Sequence, residues 1–186
     1  MIRRLLALFG IGLGLSGIAD RLLSMGVLGG ERPSARPMRS LAVVEAPIEV
    51  VWAAISDIAA QPRWMLEMKA VRLTTPGPVG VGTHGEADVR ILGIGVTDPV
   101  EISTWEPPTR LGIRHLGRFT GGGEIVLSSG ADGSTTIVTW DEKLVPPLFP
   151  ELGAIVQRPI LRRIFQDDLH RFRELIESGA WASDPT

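Results

Sequence analysis

His84, His115 and His170 are the chain's three imidazoles, and so its ready candidates for proton transfer near neutral pH. His84 alternates with Glu86, Asp88 and Arg90, on the charged side of its stretch. His170 stands two residues from Asp168, off the apolar stripe of its helix, and is expected in solvent. His115 shares a strand face with Leu111 and Ile113. It therefore points toward an interior, either as a satisfied core or rim histidine or as a functional one. Arg114 beside it, if buried, would need a carboxylate partner or an anionic ligand. The histidines are too far apart in sequence for a His-x-x-x-His pair, and the chain has no Cys. That argues against a zinc or iron site and excludes disulfides and thiolate chemistry. Ser128 and Ser129 precede Gly130 without the flanking glycines of a nucleophile elbow. The glycine clusters at 80–85 and 121–123 open no helix and carry no Lys-Ser/Thr, so they read as loops near strand ends. No residue is assigned a catalytic role, and no metal or cofactor is called for.

Charge narrows the partners. Lys and Arg number 19 against 21 Asp and Glu, a formal net charge of -2. With no basic stripe interleaved with aromatics, no nucleic-acid partner is expected. The 22 Gly and 14 Pro supply the turns that many short strands require.

The elements that must position these residues follow from periodicity. Residues 39–46 alternate into a strand. Pro47 then starts a helix, with Glu49 in its first turn and Ile48, Val51, Trp52 and Ile55 on one face. Asp57 caps a second short helix that carries Ile58, Pro62 and Trp64. Short strands are expected at 71–75, 84–92, 96–105, 111–116 and 123–128. In 84–92, Gly85, Ala87, Val89 and Ile91 share a face. The 120s glycines form a loose loop, Asp132-Gly133 marks a hairpin, and 134–145 is the last strand. Residues 151–178 form a long helix with a broad apolar stripe through Leu161, Ile164, Phe165, Leu169, Phe172, Leu175 and Ile176, kinked or effectively started at Pro159. Strand runs flanked by helices indicate α+β.

The order Ala46-Pro47, Val51-Trp52, Asp57, Pro62, Trp64, with the later Trp105-Glu106-Pro107-Pro108-x-Arg110, resembles the START-like (SRPBCC) superfamily, in particular its polyketide cyclase/dehydrase-like branch. The resemblance implies a helix-grip fold, an antiparallel sheet wrapped around the long C-terminal helix with a cavity between them. It also implies that the second short helix forms the cavity entrance, which makes Trp64 a lining residue with Met65 and Met68. Trp64, Met65, Met68, Trp105, Arg114 and His115 are the candidate ligand-binding residues. The expected function is binding or transport of a hydrophobic small molecule or lipid. The alternative is a cyclase- or dehydratase-like enzyme using His115, Arg114 or Glu86.

Residues 1–30 differ from the rest. Arg3 and Arg4 precede an uncharged run over 5–19, Asp20 and Arg21 interrupt it, and an apolar stretch continues to Gly30. Three readings fit: a membrane anchor, a cleaved signal peptide of a secreted protein, or an amphipathic helix lying in an interface or docked on the protein itself. Membrane association through this segment is the favoured expectation. Residues 31–37, with two prolines, read as an extended linker, and the START-like domain is expected over 38–180.

Overall fold

Alternating apolar and polar residues build the frame. The computed structural model describes residues 2–26, 31–91 and 93–183, with 2–11 and 183 described in backbone only. The strands are β1 (Met38–Val44), β2 (Met68–Leu73), β3 (His84–Ile91), β4 (Ile94–Glu106), β5 (Arg110–His115), β6 (Thr120–Ser129) and β7 (Thr136–Val145). They form one antiparallel sheet in the order β1-β7-β6-β5-β4-β3-β2. Strand β1 is buried at every second residue from Met38 to Val44, as period two requires of a strand with one covered face. The expected end of β3 at residue 92, and the apolar stretch over 27–30, lie outside the described residues.

Helix α2 (Ile48–Ser56) and the 3-10 helix Ile58–Arg63 connect the two edge strands. The side chain of Asp57 accepts from the Ala60 amide at 3.3 Å, the cap expected from sequence. Helix α3 (Pro150–Glu177) buries Leu161, Phe165, Leu169, Phe172 and Ile176 against the inner face of the sheet. It begins at Pro150 and runs on through Pro159 as one helix. A short α4 (Ala180–Ser183) follows, where the Arg63 guanidinium stacks 4.3 Å over the Trp181 ring.

Two sequence expectations change. Gly121–Gly123 are not a loop: all three lie in β6, paired to β5 and β7. Glycine is poor in isolated strands, but here a side chain would collide with neighbouring groups already in place. Residues 31–37 are not a free linker either. Ser34 is buried in the 3-10 turn Pro33–Ala35, and its amide and hydroxyl both donate to Glu151 at 2.9 Å. Arg32 Nε adds a third bond at 3.0 Å. Burial alone would raise the Glu151 pKa, but these donors outweigh it and hold the carboxyl below its ordinary value.

The N-terminal segment forms α1 (Ile2–Ser24), and its later half docks on the start of α3. Phe149, at the N-cap of α3, makes no side-chain cap bond. Asp20 of α1 supplies one instead: its Oδ1 accepts from the amides of Glu151 at 2.8 Å and Leu152 at 2.9 Å. Asp20 is thus a cap for α3. Among the described residues no helix is long and apolar enough to cross a membrane. Asp20→Ala should cost about 1 kcal/mol and speed amide hydrogen exchange in α1 and the first turn of α3. Unchanged exchange there would show that the cap does not hold α1 down.

Candidate functional site

Sheet and α3 do not close on each other completely. A cavity of about 340 Å³ lies between them, within the usual range of small-molecule sites. Its sheet side is made by the inward residues of six consecutive strands, β2 to β7, including Ala87 and Val89 of β3, Val96 and Val100 of β4, Ile113 of β5 and Ile125 of β6. Its helix side is made by Gln157, Ile160, Leu161 and Phe165. Leu73, Ile94 and Ile160 line the cavity and are also solvent-exposed, which places the mouth between the start of β4, the end of β2 and the middle of α3.

One polar cluster interrupts this apolar surface. His115 Nδ1 lies 2.5 Å from Asp98 Oδ2, and Nε2 lies 3.1 Å from Glu142 Oε1. The other oxygen of Glu142 accepts from the Trp140 indole at 3.1 Å. Burial pushes the imidazole pKa down. The hydrogen bonds and charges of the two carboxylates overcome that and raise it to about 9. At neutral pH the group is therefore an imidazolium donating from both nitrogens. Strand parity puts all three here: Asp98 shares the inward face with Val96 and Val100, His115 with Ile113, and Glu142 with Trp140 and Leu144. Two glycines make the room. A Cβ on Gly123 would strike Glu142 Oε2, and one on Gly117 would strike Asp98 Oδ1.

A second polar group stands where β2 meets α3. Asp168 of α3 accepts from the Leu66 amide at 3.2 Å and faces Glu67, which lines the cavity. Burial, then the Glu67 charge, raise the Asp168 pKa to about 8; burial also raises that of Glu67. The two carboxyls share a proton in preference to both ionising. Among the described residues no group of three or more His, Asp or Glu could hold a metal ion.

Of the six residues singled out in the sequence, Met65, Met68 and His115 line this cavity. Trp64 does not: it is fully buried behind the lining, edge-on to Trp140 and Phe172. The mouth is formed by the end of β2, the start of β4 and α3 rather than by the short helix that carries Trp64. Arg114 lies on the outer face, as its alternation with His115 dictates, and pairs with Glu101 at 3.2 Å. Trp105 reaches the inner face through a bulge between Ile102 and Thr104, but beyond the cavity, against Trp52. Glu86 pairs with Arg72 on the outer face, and His84 and His170 are exposed. Asp98, Glu142, Glu67 and Asp168 were not singled out. The available signal was a charged residue at inward parity for the first two; for the pair at β2 and α3 no local spacing gave one.

Residues 38–177 match the family described as polyketide cyclase / dehydrase and lipid transport. The chain belongs to that family. The START-like resemblance and the helix-grip fold read from the sequence both stand. Similar solved structures include the Zhui aromatase/cyclase from Streptomyces sp. R1128, with TM-score 0.64 at 17% identity, covering 81% of this chain and 99% of that one. A START superfamily protein from Mycobacterium smegmatis gives 0.58 at 14% identity, covering 81% and 100%. An uncharacterised protein of Mycobacterium tuberculosis is 29% identical over 136 residues, 68% of this chain and 77% of that one.

Proposed function

We propose that this family member binds a hydrophobic small molecule or lipid in the cavity between the sheet and α3. The supporting observation is a mouth-bearing interior about 340 Å³ in volume, lined by aliphatic, aromatic and methionine side chains with few polar groups. Desolvating an apolar ligand there contributes about 25 cal/mol per Å² buried, and Met65 and Met68 give an adaptable surface. The cyclase-like alternative would use the same cavity, with His115 as the natural base. Both of its nitrogens are committed to carboxylates, however, so at neutral pH it offers no free lone pair. That favours binding over proton abstraction by His115. The exposed Leu13, Leu15, Ile18 and Leu22 on the outward side of α1 support contact of the N-terminal segment with an apolar surface such as a membrane.

The full chain should carry a stoichiometric apolar molecule detectable by mass spectrometry after denaturation, or enhance Nile red fluorescence once stripped. Val100→Trp, which fills the cavity, should abolish both while the chain still melts cooperatively. A chain that retains nothing and leaves Nile red dark would overturn this reading.

A further inference from the structure

The charges around the cavity are one-sided. Among the described residues no Lys or Arg lines it, whereas Glu67, Asp98 and Glu142 do. The His115 imidazolium offsets only one of the two carboxylates it bridges. Glu67 faces a further carboxyl, Asp168, and Lys69 offsets its charge only in part, since its pKa stays raised.

Three lining residues also keep a buried polar atom without a hydrogen-bond partner: Gln61 Nε2, Glu67 Oε2 and Asp98 Oδ1. Gln61 Nε2 is a donor; the other two are carboxyl oxygens, and Glu67 already shares a proton with Asp168, which leaves Asp98 Oδ1 as the open acceptor. Buried polar atoms are nearly always satisfied in folded proteins, so orphans gathered around one cavity mark where a bound molecule supplies the missing partner. Asp98 belongs to β4 in the sheet, and Gln61 and Glu67 to the 3-10 helix and the segment entering β2. These polar atoms therefore stand on two different sides of the space.

We infer that the cavity selects apolar ligands that are neutral or cationic and carry hydrogen-bond donors, hydroxyl or amine, and that it discriminates against carboxylate- or phosphate-headed lipids. The inference rests on the cavity being a binding site. A donor group would satisfy Asp98 Oδ1 in a low-dielectric setting, where such bonds are strong. An anionic head would bring like charge to a site that already has an excess of it, and the one lining cation, His115, already has both nitrogens on carboxylates.

Three probes of equal chain length separate the possibilities: decanol, decylammonium and decanoate. They are titrated into the stripped full chain at pH 7 and followed by NMR, with the Trp140 indole N–H as a reporter inside the site. Decanol, decylammonium or both should bind about tenfold or more tightly than decanoate. Which of the two leads tells a hydroxyl from an amine as the preferred donor. Asp98→Asn and Glu67→Gln, each checked for an intact melting transition, should narrow the gap by removing negative charge and an acceptor. Decanoate binding as tightly as decanol and decylammonium would overturn the inference while leaving the cavity a hydrophobic binding site. A gap unchanged in both variants would overturn the assignment to these carboxylates. No shift of Trp140 or of any cavity residue with any probe would overturn the binding function itself.

Discussion

Trp64→Ala should lower the unfolding free energy by about 3–5 kcal/mol, the cost of removing a large aromatic side chain from a closed core. Trp64 is wholly buried, its ring centroid 6.0 Å from that of Trp140 and 5.2 Å from that of Phe172. It joins the sheet, α3 and the short helix after α2, so no single element can move in to fill its place. A residue at an exposed cavity entrance would cost about 0.5 kcal/mol or less, and the size of the loss separates the two placements. Trp64→Phe refines the test. It keeps an aromatic ring at the junction and deletes the indole N–H, which has no hydrogen-bond partner. Its cost should be under half that of the alanine variant. Urea unfolding of the three proteins measures both; an alanine loss below about 1 kcal/mol would contradict the packing described.

Trp64 also shows how far sequence reading reaches. The residues at 57, 62 and 64 mark a short helix after α2, and that helix is there, because an Asp cap and its spacing are local properties. Whether its Trp faces ligand or core depends on Trp140 and Phe172, which arrive from distant parts of the chain. The strand faces were legible for the same local reason: Gly85, Ala87, Val89 and Ile91 all line the cavity, as period two requires. Asp98 and Glu142 obey the same period, yet a charged residue on a strand is ordinarily a solvated one, so parity alone does not mark them as inward. Gly121–Gly123 look like a loop in isolation. Their place in β6 follows from the bulk of Glu142 and Trp140 on β7, which Gly123 must clear. Asp20 lies 131 residues before the amide it caps, so no capping motif could announce it.

Stability should fall as pH rises from 6.5 to 9, by about 3 kcal/mol from His115 alone, or roughly 6–12 °C in Tm. Its pKa is raised from 6.5 to about 9 in the folded protein. The unfolded chain thus releases that proton first while the folded chain keeps it. A raised folded pKa contributes stability that is fully present below pH 6.5 and lost as pH passes through about 9. The physical event is loss of one donor: a neutral imidazole keeping its proton toward Asp98 turns a lone pair on Glu142, and two buried carboxylates lose their cation. Asp168 acts in the same direction over a lower window. Its pKa is raised from 3.8 to about 8, so the folded chain again holds a proton the unfolded chain has released, and its contribution declines across that interval. Between pH 6.5 and 8 the two losses add. Asp168→Asn removes one of them and leaves a neutral group able to bond Glu67. It should therefore flatten the slope below pH 8 and raise stability at that pH by about 1–3 kcal/mol, leaving the His115 decline toward pH 9 intact. Thermal melts of both proteins from pH 6 to 9.5 read the two contributions separately. A wild-type Tm that is flat or rising from 6.5 to 9 would mean that His115 does not carry its proton between Asp98 and Glu142.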